Sequence, residues 1–217
     1  MLVACWSVKG GSGTTVVAAA IALSLAAQGD GVLLVDLGGD LPAALGSRDT
    51  DGPALADWLV ADHDVPAGAL RRLEVEVTPG LALLPLGPPR PAAPGRGEEL
   101  AAEPRTVVVD CGSPCSPAGL AIAGAASLSL LVVRPCYLAL RRALHAPIEP
   151  SAIVLVGEPQ RALRREDVED VLGVDVTAAV PWRPAVATAV DAGLLTRRLP
   201  APLERALRPI VGRVAAA

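Results

Sequence analysis

The sequence has no phenylalanine, and its 217 residues include only three tryptophans and one tyrosine. A hydrophobic core therefore has to be built from alanine, valine, leucine and isoleucine. Hydrophobic residues make up 52% of the chain, which excludes an intrinsically disordered protein. Lysine is nearly absent as well, because Lys9 stands alone beside 18 arginines. Together with 21 glycines and 21 prolines, this skew is typical of GC-rich coding.

Metal-binding and redox cysteine motifs are missing too. The four cysteines form no CxxC pair and no zinc spacing: Cys5, Cys111, Cys115 and Cys136. We interpret them as small buried hydrophobic residues of the reducing cytosol. A net charge of −4 argues against a protein that coats nucleic acid through its overall field. The first residues, LVACWSV, carry no basic leader, so a cytoplasmic protein is expected.

Charged residues are absent from a long stretch at 112–133. Its length and hydropathy would suit a membrane span, but Pro114, Pro117 and many alanines interrupt it. We interpret the stretch as a buried helix followed by a buried strand.

Apolar runs and helical segments alternate along the chain. Strands are predicted at 2–8, 31–36, 80–87, 106–110, 128–135, 151–157 and 176–181. Helices are predicted at 15–28, 53–61, 116–126, 137–145, 165–173, 184–192 and 202–214. This order predicts an α/β fold, a doubly wound and mostly parallel sheet with helices on both faces. We expect a single domain over 1–217, with an irregular Pro/Gly-rich loop at 87–99.

In such a fold, ligands bind where the strands end. The first strand ends in VKGGSGTTVV, whose loop comprises Lys9, Gly10, Gly11, Ser12, Gly13, Thr14 and Thr15. Glycines let the backbone N–H groups turn inward, and the following helix begins with partial positive charge, so the loop suits a phosphate. The Thr15 hydroxyl is a candidate Mg²⁺ ligand. A plain connector between strand and helix is the simpler alternative.

Carboxylates follow two further strands. Asp36 and Asp40 lie at the end of the second strand in VLLVDLGGD, and Asp110 is the last residue of TVVVD, with a DxxxP continuation to Pro114. Carboxylates at this edge of the sheet suit Mg²⁺. Asp40 has an equally simple interpretation, as the N-cap of a helix that starts near Leu41.

The loop resembles the deviant Walker A motif of the MinD/ParA family, KGGxGK[ST]. Lys9, Gly10, Gly11, Gly13 and Thr15 match it, whereas Thr14 stands where the family has its phosphate lysine. Lys9 matches the family's signature lysine, which in an ATP-sandwiched dimer reaches the partner's phosphates. Arginine would not replace a compact ammonium in so cramped a site. The resemblance follows the element order of nearly the whole chain.

The resemblance implies ATP and Mg²⁺ as cofactors and assigns further roles. Asp36 would act in catalysis by organising Mg²⁺ and the attacking water, with Asp40 taking part of that role because the family's second aspartate is Gly38 here. Asp110 would be the Walker B carboxylate that holds Mg²⁺ through water. The base loop would comprise Pro181, Trp182 and Arg183, although VLVGEPQ lacks the family's usual asparagine.

With Thr14 in place of the phosphate lysine, the loop most resembles the loops of the CpaE/TadZ-like branch of the family. The implied function is a positioning or partitioning protein: an ATP-binding homodimer with slow or absent hydrolysis. It would recruit a protein partner, such as pilus, secretion or cell-division machinery, and reach a membrane or cell pole through that partner. A nucleotide-free scaffold or polymer subunit, and a biosynthetic enzyme of the same P-loop class, are the alternatives.

Direct contacts with DNA or membrane are less favoured. Arginine pairs occur at 71–72, 141–142, 164–165 and 197–198, but solvated helix faces explain them. The C-terminal segment LERALRPIVGRV is amphipathic and could bind a membrane surface, but Pro209 is expected to interrupt it.

Overall fold

A computed structural model describes residues 1–47, 52–61, 68–88, 90, 96–112 and 116–217. Within these residues the chain forms one eight-stranded sheet with the order β3-β4-β2-β5-β1-β6-β7-β8. The strands are β1 Leu2–Trp6, β2 Val32–Asp36, β3 Val75–Thr78, β4 Leu81–Leu84, β5 Thr106–Asp110, β6 Leu128–Val133, β7 Ala152–Gly157 and β8 Val176–Pro181. Every strand pair is parallel except β3 with β4.

Helices connect these strands. They are α1 Thr14–Ala26, α2 Leu41–Leu45, α3 Leu55–Val60, α4 Ala69–Arg72, α5 Gly97–Ala101, α6 Pro117–Ala125, α7 Tyr137–Ala143, α8 Arg165–Leu172, α9 Pro184–Asp191 and α10 Ala201–Ala215. Two hydrophobic clusters lie on opposite faces of the sheet, since alternate residues of each strand point to opposite sides. The predicted doubly wound α/β fold is confirmed.

The central strands are continuous apolar runs because both of their faces are covered. Every residue of β1, β2 and β6 is buried. Their register brings the strand ends together: Cys5 and Asp36 each lie opposite Asp110, and Trp6 lies opposite Leu131. The loops that follow β1, β2, β5 and β6 therefore meet at one edge of the sheet.

The loop predicted at 87–99 is only partly irregular. Residues 89 and 91–95 lie outside the described part of the chain, but α5 begins at Gly97, so the expectation that no regular element forms there is wrong at its end. A Cβ at Gly97 would lie 2.9 Å from the Cβ of Ala125, so glycine permits close packing against α6. Leu100 anchors this short helix in the core.

The amphipathic C-terminal helix is used inside the protein. Its apolar side chains are buried against β8 and α1: Leu203, Leu207, Ile210, Val211 and Val214. Pro209 does not interrupt α10, contrary to expectation, because it lies on the exposed face and the helix continues to Ala215. No helix in the described residues is long and apolar enough to cross a membrane.

The charge-free stretch forms the predicted helix and strand, α6 and β6, with Pro114 and Cys115 outside the described residues. β6 is buried as predicted, whereas α6 is buried on one face only. Cys5 and Cys111 are buried free thiols, and Cys136 is half-buried. Burial, followed by the negative charge of Asp110, raises the pKa of Cys5 far above its usual range. A thiol in this state is chemically inert.

Candidate nucleotide site

The segment between β1 and α1 is built for an anion. Gly11 and Gly13 have φ values of +73° and +95°, in the left-handed region that strains other residues. Gly13 caps α1 with its backbone, and no side chain supplies a capping hydrogen bond. The N-terminus of a 13-residue helix, with its partial positive charge, is therefore left open at the sheet edge.

Hydroxyl groups fix this loop from within. Ser7 Oγ and Ser12 Oγ both donate to the carbonyl oxygen of Lys9, at 3.0 and 2.7 Å. The backbone N–H of Lys9 donates back to Ser7 Oγ at 3.2 Å. The hydroxyl of Ser12 thus holds the loop, and Ser7 is a supporting residue that the motif did not reveal. A serine just before the loop gives no distinctive sequence signal.

A cavity of about 790 Å³ opens above this loop, within the usual size of a small-molecule site. Its wall includes residues 10–17, Gly38, Asp40, Gly112, Arg134, Val156 and residues 180–183. The structure thus brings the predicted phosphate loop and the predicted base loop, Pro181, Trp182 and Arg183, to the same cavity. Trp182 is 43% exposed there.

Lys9 does not line the cavity, although it begins the loop. Its ammonium group makes no hydrogen bond or ion pair with the residues that the structure describes. Lys9 therefore belongs to the loop but lies outside the cavity that the rest of the loop lines. Thr14, in contrast, lines the cavity and is buried.

Asp36 is fully buried and its carboxylate is occupied by the backbone. Oδ1 accepts from the N–H groups of Gly38 and Gly39 at 3.0 and 2.7 Å, and Oδ2 accepts from Leu41 at 3.3 Å. Burial raises the pKa of Asp36 to about 7, with a further rise from the charge of Asp110, while these backbone bonds oppose the shift. Asp36 does not line the cavity, and it shapes the loop that does.

Asp40 occupies the N-cap position of α2, which starts at Leu41, but its side chain makes no capping hydrogen bond. Asp36 accepts the N–H group of Leu41. Asp40 lines the cavity.

Asp110 is a buried carboxylate with one oxygen that accepts no hydrogen bond from the described residues. Oδ1 accepts from the N–H of Gly112 at 3.0 Å, whereas Oδ2 is buried and has no hydrogen-bond partner among the described residues. Burial raises the pKa of Asp110, the Thr15 hydroxyl and the Gly112 N–H lower it, and the charge of Asp40 raises it. Thr15, Asp40 and Asp110 therefore lie close enough to interact.

This arrangement fits a divalent cation. A cation would satisfy the orphaned oxygen of Asp110 and relieve the repulsion between carboxylates. No group of three or more His, Cys, Asp or Glu side chains able to hold a metal occurs in the described residues. Mg²⁺ commonly binds one or two protein carboxylates and takes its other ligands from water and phosphate. The candidate protein ligands are Thr15 and Asp110, with Asp40 beside them.

An ionic cluster lies where β6 and β7 end. Arg134 Nη1 donates to Oε1 of Glu158, and Arg161 Nε donates to Oε2 of the same side chain at 2.6 Å. Arg161, burial and Arg134 act on the pKa of Glu158, and their sum lowers it. Arg134 belongs to the cavity wall, and sequence inspection of the loop motif did not indicate it.

Comparison with known proteins identifies the chain's relatives. The sequence profile of the family described as cellulose biosynthesis protein BcsQ matches residues 1–112, so the chain belongs to that family. No curated protein sequence matches. Many solved structures share the fold.

Three of these structures illustrate the likeness. The cell division ATPase MinD of Pyrococcus furiosus aligns with a TM-score of 0.79 at 20% identity, covering 99% of this chain and 98% of its own. MinD of Pyrococcus horikoshii OT3, complexed with Mg-ADP, gives 0.78 at 20%, covering 98% and 95%. A ParA family ATPase of Chlorobium tepidum gives 0.78 at 23%, covering 100% and 99%. The fold is thus that of the MinD and ParA ATPases.

Proposed function

We propose that the protein is a MinD/ParA-like positioning or partitioning protein that binds ATP with Mg²⁺. The observation that carries this proposal is one cavity lined by the open N-terminus of α1, by Gly112, which bonds Asp110, and by the loop at 181–183. The triphosphate would lie on residues 10–15, with Mg²⁺ between Thr15 and Asp110, and the base beside Trp182. Mg²⁺ would neutralise the phosphate oxygens there. Residues 1–217 would act as one domain.

A homodimer is part of the proposal. Lys9 lies outside the cavity of its own chain and has no partner among the described residues. An unpaired ammonium beside a phosphate site suits a ligand bound by a second copy, as the deviant Walker A motif implies. A protein partner recruited by the dimer, and a cytoplasmic location with access to a membrane or pole through that partner, complete the hypothesis. MinD of Aquifex aeolicus is known in a MinC:MinD complex.

Hydrolysis would be slow or absent. Thr14 lines the cavity but supplies no charge, and a charge-assisted hydrogen bond contributes about 1.5–3 kcal/mol. Transfer of a phosphoryl group suffers most, because charge develops on the phosphate in the transition state. Thr14 is also the residue on which the resemblance to the CpaE/TadZ-like branch rests. It favours the second candidate function, a scaffold that keeps the fold without binding nucleotide.

Gel filtration of the purified protein, with and without ATP–Mg²⁺, tests the proposal together with an assay of phosphate release. We expect a dimer only when ATP–Mg²⁺ is present, and turnover well below that of a P-loop ATPase with its phosphate lysine. A protein that neither binds nucleotide nor changes its size would support the scaffold. Turnover at the rate of an intact P-loop ATPase would contradict the expected slow hydrolysis.

A further inference from the structure

Arg134 lies beside the phosphate loop because of the sheet topology. β6 is the parallel neighbour of β1, and Trp6 lies opposite Leu131. β1 ends at Trp6 and leads into the phosphate loop, whereas β6 ends at Val133 and is followed directly by Arg134. Arg134 and Thr14 line the same cavity.

The hydrogen bonds of Arg134 are incomplete. Its Nη1 donates to Glu158, but its Nε is buried without a hydrogen-bond partner among the described residues. A buried donor that lacks an acceptor is destabilising, because it has lost its hydrogen bonds to water. The guanidinium therefore has the capacity to bind an acceptor that the protein itself does not supply.

Glu158 is able to release Arg134 without becoming an unpaired charge. Arg161 donates to the other carboxylate oxygen of Glu158 at 2.6 Å. When Arg134 turns to an anionic ligand, Glu158 keeps one cationic partner. Glu158 thus holds Arg134 in the cavity wall, and Arg134 is able to turn towards a ligand without leaving Glu158 unpaired.

Positive charge is scarce in this cavity. Asp40 and Asp191 line it, and Arg134 and Arg183 are its cationic residues in the described part of the chain. Arg183 follows β8, which is separated from β1 by β6 and β7, or about 14 Å at the usual strand spacing. Of the two arginines that line the cavity in the described residues, Arg134 follows the strand next to β1 and is therefore nearer to the phosphate loop in the sheet order.

We propose that Arg134 binds the phosphate groups of the nucleotide and replaces the charge that Thr14 does not provide. This inference rests on the proposed ATP-binding function. A guanidinium suits the task because its planar fork of donors matches phosphate oxygens in pairs. Arg134 follows β6, whereas Thr14 begins α1, so the positive charge of Arg134 would reach the phosphates from a different side of the loop.

Calorimetric titration of four proteins with ATP–Mg²⁺ and with adenosine tests this role: the wild type, Arg134→Gln, Arg161→Gln and the double variant Thr14→Lys/Arg134→Gln. Arg134→Gln should weaken ATP binding about tenfold to a hundredfold and leave adenosine binding unchanged. Arg161→Gln keeps Arg134 but removes the partner that Glu158 retains, so it should weaken ATP binding by less than Arg134→Gln does. Thr14→Lys should restore ATP binding to the Arg134→Gln protein, which loss of a merely structural contact would not allow.

Two results would overturn the inference while the proposed function stands. In one, wild type and Arg134→Gln bind ATP equally well; in the other, Arg134→Gln loses ATP and adenosine to the same extent. A wild type that binds no nucleotide at all would overturn the proposed function and this inference with it. If Arg134→Gln does not fold, Arg134→Lys replaces it, and an ATP affinity that is unchanged together with an unchanged salt dependence contradicts the fork-like contact.

Discussion

Gly38 packs directly against the free oxygen of Asp110. A Cβ at residue 38 would lie 3.1 Å from Oδ2 of Asp110 and 3.4 Å from the Cα of Gly112. Residue 38, where the resemblance implies a second aspartate, therefore has no free room for a side chain on this side. Because Gly38 has no side chain, the Asp110 carboxylate is able to pack against its backbone.

Gly38→Asp should not restore ATP hydrolysis. The new side chain has to displace Asp110 or Gly112, and it adds a carboxylate to a buried one whose pKa is already raised. We expect a loss of stability of about 1–3 kcal/mol, measured by urea denaturation. Gly52→Asp is the control, since a Cβ there meets no described residue within 4 Å and should change stability little. A Gly38→Asp protein of wild-type stability with raised turnover would contradict this account.

Gly13→Ala should abolish nucleotide binding, and Gly29→Ala provides a matched control. Both glycines are strained for alanine, with φ values of +95° and +96°, but only Gly13 lines the cavity. Each substitution should lower the free energy of unfolding by a similar amount, about 1–2 kcal/mol. Titration with ATP–Mg²⁺ should then show loss of binding in Gly13→Ala alone. Equal affinities in the two variants would mean that the loop does not hold the phosphates.

Metal-free protein should become less stable as the pH rises from about 4 to 7. The pKa of Asp36 is raised from 3.8 to about 7, so the folded state holds a proton that the unfolded chain releases. Stability from this group is fully present below about pH 4 and is lost by about pH 7, an effect on the order of 4 kcal/mol. Urea denaturation in EDTA across this range measures the slope, which Asp36→Asn should flatten. Stability that rises with pH in wild type would contradict the assignment.

Lys9→Ala should prevent the ATP-dependent dimer while sparing the fold. The ammonium group has no partner among the described residues, so its loss removes no contact within them. Analytical ultracentrifugation with ATP–Mg²⁺ should show monomer for Lys9→Ala and dimer for wild type, with similar melting temperatures. Lys9→Arg is the informative control, because a planar guanidinium does not replace a compact ammonium in a tight phosphate site. A Lys9→Ala protein that still dimerises with ATP would rule out the cross-dimer role.

The parallel core was predictable because it leaves an unambiguous pattern. β1, β2 and β6 are continuous apolar runs, and such runs bounded by helices occur where both faces of a parallel sheet are covered. β3 escaped prediction because Val75–Thr78 has only four residues, which is too short for its apolar–polar alternation to stand out at the antiparallel edge of the sheet. The start of α5 at Gly97 escaped for a different reason: a glycine among prolines signals a loop, and its packing against Ala125 depends on a distant helix.

The sequence predicted which strand ends form the candidate site, but not which residue at each strand end binds the backbone and which lines the cavity. Asp36 and Asp40 occupy the positions expected, yet Asp36 binds the backbone at the start of α2 and Asp40 faces the cavity. The path of one turn decides between these roles, and the sequence does not specify that path. Arg134 was missed because its relation to the loop exists only across β6 and β1.

The helix that follows the phosphate loop is also the central helix of the core. Residues 17–22 of α1 are all buried, and the helix packs against β1, β2, β5 and α10. A ligand at its first turn would therefore stabilise the whole domain by mass action and not a peripheral loop alone. Under this linkage, the nucleotide supply of the cell would set how long each molecule survives chaperones and proteases, and hence its abundance.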